Sequence, residues 1–213
     1  MNVVGRMGAS VMLLAGVVVS GCSGSGETVR FDTIPKTNPA QMVSPEPVKV
    51  VIEPFEDRRV DKNRVGMRSH LWGGVTYFNV AGDKVGEMYA QALADRLKNR
   101  GWQDRAWDVR VAPAGSASEG DIVITGQILD FSANAKSRVF STALATSSKL
   151  TVSAKNNSDR STTTRTIEGA QTDTVFWYSD DDVKDLLTST VKETINRYIE
   201  DTTVSQRALR PSR

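Results

Sequence analysis

Cysteine and histidine are almost absent from this sequence. The 213-residue chain contains one cysteine, Cys22, and one histidine, His70. A single cysteine cannot form an internal disulfide framework, and a structural zinc site requires several cysteine or histidine ligands. A histidine-based catalytic triad would need a nucleophile beside His70, and no Gly-x-Ser-x-Gly motif is present. We therefore expect no catalytic residues, no metal and no cofactor, and we predict that the protein is not an enzyme.

An excess of charge of either sign is also lacking. Lys and Arg number 27 against 25 Asp and Glu, which leaves a formal charge of +2. Nucleic-acid-binding domains concentrate basic residues on one face, and no basic cluster here is interleaved with aromatic residues. Apolar residues make up 39% of the chain, which is typical of a globular protein. We predict one globular domain, no nucleic-acid partner, and a solvated basic tail over 206–213.

No apolar segment is long enough to span a bilayer comfortably. The uncharged core of the amino terminus runs from Met7 to Gly21, 15 residues, and follows the positively charged Arg6. A transmembrane helix needs about 20 apolar residues. A charged start, a short apolar middle and small residues at the end are typical of an export signal. We predict that residues 1–21 are a lipoprotein signal peptide.

The single cysteine follows that segment directly. Val19-Ser20-Gly21-Cys22 resembles the lipobox of bacterial lipoproteins, although the family often has Leu at the position of Val19. The resemblance implies cleavage before Cys22, a diacylglycerol on its sulfur and an acylated amino group, for example palmitate. The alternative is a free or buried thiol, which would be a liability in an oxidising compartment. Ser23 is not Asp, and by analogy with enteric bacteria this favours the periplasmic face of the outer membrane.

Residues 22–47 are predicted to form the lipidated amino terminus and a flexible tether. This segment holds four of the seven prolines and few large apolar residues. Such a composition is typical of a flexible linker, with a reach of about 25–30 Å.

The folded domain is predicted over 48–205. Residues 49–55 predict a strand, a loop follows to about residue 82, and helices are expected over 82–102 and 179–201 from apolar positions at helical spacing. Between them, alternating residues predict several strands, with Phe131 on the face opposite Ile128 and with Gly126 at a bulge or a close approach. We predict an α+β fold, a two-layer sandwich with a mainly antiparallel sheet and both helices packed on one face.

Three short motifs of this domain resemble the YajG-type outer-membrane lipoproteins of bacteria. These are Phe55 to Arg58 with Arg64-Val65-Gly66, then Ile124 to Ile128, and finally Val183 to Leu209 with Asp201. The likeness covers most of 48–205, while the long segment 70–82 departs from it. The resemblance implies an envelope lipoprotein of small α+β fold and no defined activity.

Two loops are candidates for binding a partner. The segment 71–78, LWGGVTYF, places Trp72, Tyr77 and Phe78 around a flexible glycine pair, and aromatic residues are enriched in interfaces. The alternative is that these residues cover the edge of the core. Asp57 and Arg58 lie in a mixed-charge loop that serves either as a docking surface or as a brace at the strand end.

Three functions are open at this stage. The first is a lipid-anchored interaction domain that docks on an envelope protein through an unidentified partner. The second is an accessory subunit of a lipid-transport or cell-wall-synthesis complex, with a lipid or glycan in a groove between sheet and helices. A hydrolase is the least favoured. The adjacent Asp180, Asp181 and Asp182 lack the alternate spacing of a calcium loop and are expected to stabilise a helix amino terminus.

Overall fold

The computed structural model describes residues 25–32, 34–38, 46–115 and 120–212. Within these ranges the protein is a mixed α/β structure in which strands predominate over two α-helices. The strands are β1 (Ser25–Phe31), β2 (Glu46–Ile52), β3 (Glu56–Asp57), β4 (Gly66–Ser69), β5 (Val75–Val80), β6 (Trp107–Val111), β7 (Ile122–Arg138), β8 (Ser141–Asn156), β9 (Thr162–Val175), β10 (Thr202–Ser205) and β11 (Ala208–Pro211). The helices are α1 (Val85–Arg100) and α2 (Asp180–Glu200).

The fold is built around one long strand, β7. It pairs antiparallel with β8 along its whole length, from Ile122 opposite Asn156 to Arg138 opposite Ser141. β8 pairs antiparallel with β9 on its other side. The opposite edge of β7 is shared by β2, β3 and β4, which follow one another along it and are all parallel to it. One strand of 17 residues therefore holds together segments from both halves of the domain.

The sheet is mixed, and the prediction of a mainly antiparallel sheet is correct only for the β7–β8–β9 part. Among the described pairings, β1, β2, β3 and β6 have only parallel neighbours. The reason is that β2, β3 and β4 lie in line along one edge of β7, so the chain keeps its direction instead of turning back in hairpins. β5 then turns back antiparallel to β4, and β1 adds to β5 in parallel.

Two segments without predicted structure contain strands. The prediction of a loop that reaches about residue 82 is wrong, because β3, β4 and β5 lie within that segment. Residues 25–31, which composition placed in the tether, form β1 at the edge of the sheet. Val29 and Phe31 alternate with polar residues there, and Phe31 is buried against the core. The tether therefore contains an ordered strand that begins at Ser25.

Both helices are confirmed, and both contact the same face of β8. The Tyr89 hydroxyl of α1 is 2.7 Å from Ser148 Oγ, and Thr190 Oγ1 of α2 is 2.6 Å from Thr146 Oγ1. Positions 146 and 148 lie on one face because side chains alternate along a strand. Ser179 precedes α2, and its backbone N–H donates to Asp182 Oδ2 at 2.7 Å, as expected for a helix amino terminus.

A β-bulge at Leu129 changes which face of β7 enters the core. Ile128 pairs with Leu150 and Asp130 with Lys149, so β7 has one extra residue at this point. The extra residue moves Phe131 onto the buried face with Ile128, and Leu129 becomes partly exposed. The prediction that Phe131 lies opposite Ile128 is wrong for this reason.

Gly126 permits another residue to approach the backbone closely. The sequence predicts either such an approach or a bulge at this position, and the approach is confirmed. A Cβ atom at Gly126 would lie 2.5 Å from the ring of Phe55, which closes the core between β2 and α1. The bulge itself lies three residues later.

The carboxyl-terminal residues are also ordered. β10 and β11 form an antiparallel hairpin, and Ala208 and Leu209 within the predicted basic tail are buried. The side-chain amide of Asn156 donates to the Leu209 carbonyl at 3.1 Å and fixes the hairpin to the end of β8. Neither α-helix among the described residues is long and apolar enough to cross a bilayer.

Candidate functional site

The predicted aromatic loop divides into an exposed turn and a buried strand. Trp72 lies in the turn between β4 and β5 and is 89% exposed. Gly73 and Gly74 take φ values of 88° and 84°, which glycine adopts readily, and they close the turn. Tyr77 is half-buried in β5, and the Arg64 guanidinium lies 4.9 Å from its ring centroid.

Phe78 does not belong to an exposed loop. It is 0% exposed in β5, and its ring centroid is 5.5 Å from that of Phe31. A direct contact between Phe78 and a partner would require the strand to leave the sheet. Of the three aromatic residues that the sequence grouped together, only Trp72 is freely available at the surface.

The mixed-charge loop contains a brace, and the arginine of the brace is Arg59. Arg58 lies at the surface and pairs with Glu56 at 2.7 Å. The Arg59 side chain is only 5% exposed, and it donates from Nη2 to Asp57 Oδ2 at 2.8 Å and from Nε to Asp57 Oδ1 at 3.0 Å. It also donates to the Arg64 carbonyl oxygen at 3.0 Å. The Asp–Arg brace is therefore present, and its cation is Arg59.

The electrostatics of this brace favour the ionised carboxylate. Desolvation raises the pKa of Asp57, but the hydrogen bonds and the charge of Arg59 outweigh it and lower that pKa below its ordinary value of 3.8. Asp57 is thus ionised at neutral pH and compensates a nearly buried guanidinium. Its role is to hold the chain between β3 and β4.

The strongest surface feature was missed by sequence analysis. It is a group of exposed apolar side chains that we call the aromatic end, and all of its members except Val139 line one open depression of about 470 Å³. They come from the turn between β4 and β5, the turn between β7 and β8, and the segment between β9 and α2. The members are Leu71, Trp72, Val139, Phe140, Phe176 and Trp177.

Strand register explains why three distant segments meet. The same end of the sheet carries Val175 opposite Thr142 in β9 and β8, and Arg138 opposite Ser141 in β7 and β8. On the other side of β7, Lys136 pairs with Ser69, which itself pairs with Val75. Each apolar segment follows or precedes one of these paired positions, so all three emerge from one end of the sheet.

One member of the aromatic end has a strained backbone. Phe140 is 87% exposed and has a φ of 65°, in the left-handed region. It forms a two-residue turn with Val139, where glycine or asparagine is normally preferred. A residue other than glycine in such a conformation costs about 1–3 kcal/mol. This conformation and its exposure make Phe140 a candidate for contact at the surface.

The aromatic end rests on a set of polar and cation–π contacts. The Arg68 guanidinium stacks 3.6 Å from the ring centroid of Tyr178, and its Nε donates to Ser137 Oγ at 3.1 Å. The Tyr178 hydroxyl donates to Asp180 Oδ1 at 2.8 Å, at the start of α2. These contacts link β4, β7 and α2 directly beneath the exposed side chains.

His70 belongs to the same set and has a polar partner. Its Nε2 is 2.9 Å from Thr76 Oγ1. Desolvation, followed by the charge of Arg68, lowers its pKa below the ordinary value of 6.5, against an opposing effect of Glu27. A neutral imidazole at physiological pH is therefore expected. Within the part of the chain that the structure describes, no three His, Cys, Asp or Glu side chains are grouped for metal binding.

A second cavity, of about 760 Å³, lies between the sheet edge and α1. Phe31, Val80, Met88 and Val111 provide apolar walls, while Lys84 contributes a charge at its border. It corresponds to the groove between sheet and helix in which a lipid or glycan was expected under the second hypothesis. Cys22, the predicted attachment point, lies outside the described residues.

Comparison with known proteins shows a shared fold. Neither the family models nor the curated proteins contain a match to this chain. Among solved structures, the chain is similar to XCC0632 from Xanthomonas campestris, a DUF330 protein, with a TM-score of 0.53 at 10% identity over 81% of this chain and 92% of that one.

Two further structures are less similar. An uncharacterised protein gives a TM-score of 0.48 at 9% identity, over 84% of this chain and 97% of that one. Lipoprotein GNA1162 from Neisseria meningitidis gives 0.32 at 9% identity, over 70% and 99%. The likeness to XCC0632 therefore establishes the fold and leaves the function to be argued from the surface.

Proposed function

We propose that the protein is a lipid-anchored lipoprotein of the bacterial envelope, held by acylated Cys22 on the periplasmic face of the outer membrane. Its folded part, with both helices layered on one face of the sheet, acts as a non-catalytic interaction or accessory domain. One observation carries the proposal. The lipobox-like Val19-Ser20-Gly21-Cys22 is followed, three residues later, by a strand at Ser25 that is paired into the sheet.

The surface chemistry supports a role by contact. The prominent exposed groups at the aromatic end are apolar, and two of the nearby ionisable groups have partners: Arg68 with Tyr178, and His70 with Thr76. Large exposed apolar groups on a folded domain mark interaction surfaces. The YajG-type resemblance and the absence of Asp at Ser23 support an outer-membrane location in particular.

Replacement of the anchor cysteine tests the proposal directly. Cys22→Ser removes the sulfur that would carry the diacylglycerol, and two or more acyl chains are needed for stable membrane attachment. We expect the native protein to have an acylated amino terminus at Cys22 by intact-mass analysis, and the variant to lack it and to leave the outer-membrane fraction. Ser20→Ala keeps the cysteine and a small residue before it, and serves as the matched control. An unmodified native chain that begins at Met1 would disprove the proposal.

The apolar cavity supports an alternative accessory function. A lipid tail or a glycan carried between sheet and α1 would occupy the space against Met88 and Val111. If the protein is a carrier, native mass spectrometry after delipidation of the anchor-free chain should still find a bound lipid or glycan. Met88→Trp should reduce that occupancy by filling the cavity, whereas Leu129→Trp on the opposite side of β7 should not. A cavity that is empty in every preparation argues against this alternative.

A further inference from the structure

We propose that the aromatic end docks into the lipid headgroup region of the same membrane that holds the anchor, so that the folded domain lies against the bilayer instead of standing clear of it. The inference rests on the proposed acylation of Cys22 and extends it from the anchor to the domain. The ligand class is a phospholipid surface. The partner that Trp72 contacts is therefore lipid.

The first step is the position of the anchor. Cys22 precedes Ser25 by three residues, which span at most about 11 Å when fully extended. Ser25 pairs with Val75, directly after the turn that carries Trp72. The acyl chains would therefore enter the membrane beside the aromatic end. The predicted tether does not separate them, because its residues from Ser25 to Phe31 form β1, which begins at this end of the sheet and leads away from it.

The second step is the size and direction of the surface. Six strands, β9, β8, β7, β4, β5 and β1, end side by side here, which gives a width of roughly 24 Å at about 4.8 Å per spacing. Trp72 and Trp177 line one depression in this row, because the segment after β9 reaches across to β4, where Tyr178 stacks on Arg68. A bilayer is the kind of partner that can contact the whole row together, since it is extended and flat. The headgroup layer, roughly 5–7 Å thick on each side, can accommodate projecting side chains of this length.

The third step is the chemistry of the side chains. Trp177 is 92% exposed and Trp72 nearly as much, and tryptophan is enriched at membrane–water interfaces, where its ring is apolar and its N–H remains hydrated. Phe140 and Phe176 add apolar groups that water solvates poorly. The strained turn places Phe140 at the tip of the β7–β8 hairpin, as an inserting residue requires.

Charge contributes little to this docking. Exposed Lys136 and Arg138 lie near the aromatic end, but Asp180, Asp181 and Asp182 begin α2 on the same side. Basic clusters attract anionic lipid, whereas a balanced set of charges does not. We therefore expect docking through aromatic contacts, with little dependence on salt concentration or on the fraction of anionic lipid.

Tryptophan fluorescence provides the test, because two of the four tryptophans are buried. Trp102 and Trp107 pack edge-to-face in the core, and Trp72 and Trp177 are the exposed reporters. The full lipidated protein is reconstituted into phosphatidylethanolamine–phosphatidylglycerol vesicles with and without acyl chains brominated near the headgroup. We expect bromolipid to quench most of the emission of Trp72 in Trp177→Phe and of Trp177 in Trp72→Phe. Acrylamide in the aqueous phase should no longer quench the emission of either tryptophan.

The matched control places a tryptophan away from the aromatic end. Val60 is fully exposed between β3 and β4, beside the middle of β7. Val60→Trp in the Trp72→Phe/Trp177→Phe background should be quenched by acrylamide and not by bromolipid. The background variant alone reports the buried pair and should respond to neither quencher.

The contrary outcomes are distinct. If intact mass shows acylated Cys22 while Trp72 and Trp177 remain open to acrylamide and unaffected by bromolipid, docking is overturned and the anchor stands. Shielding of both tryptophans from both quenchers shows that a protein or a second copy of the chain covers the surface. This result also overturns docking on lipid. An unacylated chain overturns the proposed function and this inference together.

Discussion

Phe78→Ala is expected to lower the free energy of unfolding by about 3–5 kcal/mol, the range for truncation of a buried phenylalanine. Phe78 is fully enclosed in β5 and packs against the ring of Phe31 in the edge strand β1. The truncation leaves a cavity between β1, β5 and the core. Urea denaturation followed by circular dichroism measures the change.

Trp72→Ala is the matched control, six residues earlier in the same predicted loop. Its side chain is exposed, and surface substitutions usually change stability by no more than about 0.5 kcal/mol. The two variants should therefore differ in stability by several kcal/mol while removing comparable aromatic surface. Equal and small effects would show that Phe78 is not enclosed, and equal and large effects would show that Trp72 packs against the domain.

The contrast between these two residues shows the limit of sequence reasoning for the site. Residues 71–78 are rich in aromatics with a glycine pair, and nothing in that composition shows that a strand begins at Val75. The assignment depends on partners far along the chain: Phe78 pairs with Gly66, whose missing side chain lets the Ala133 carbonyl approach to 1.7 Å of where a Cβ would lie. Such a contact has no local signal.

The helices and the alternating pattern of the strand residues were predictable because their signal is local. In α2, buried positions such as Val183, Leu187 and Val191 recur at helical spacing, and Ser179 supplies the cap. In β8, alternate residues are buried from Thr142 to Asn156. The bulge at Leu129 has no comparable signature, because one inserted residue changes the face of every later side chain in β7.

The aromatic end could not be predicted because it is created by register. Trp72, Phe140 and Trp177 are separated by long stretches of chain, and each is a single exposed aromatic segment at a strand end. Only the pairing of Ser69 with Lys136 and of Thr142 with Val175 brings the segments to one side. The turn at Val139 and Phe140 has no local signal either, because neither residue is a typical turn former.

Asp57→Ala is expected to destabilise the protein by about 3 kcal/mol, at the lower end of the range for breaking a buried ion pair because Asp57 keeps some contact with solvent. The variant leaves the enclosed Arg59 guanidinium without its carboxylate. Arg58→Ala, which removes the neighbouring exposed pair with Glu56, should change stability by about 0.5 kcal/mol or less. Urea denaturation at neutral pH measures both.

The pH dependence of that difference tests its electrostatic origin. The folded-state pKa of Asp57 is lowered below 3.8, so its contribution is fully present above the unfolded value and is lost as the pH falls through the lower folded value. The stability difference between the native protein and Asp57→Ala should therefore be constant from neutral pH to about pH 5 and shrink below about pH 4. Asp57→Leu with Arg59→Met should be more stable than Asp57→Ala, because no buried charge remains. A difference that stays constant into acid would assign the loss to packing of the Asp57 side chain instead of to its charge.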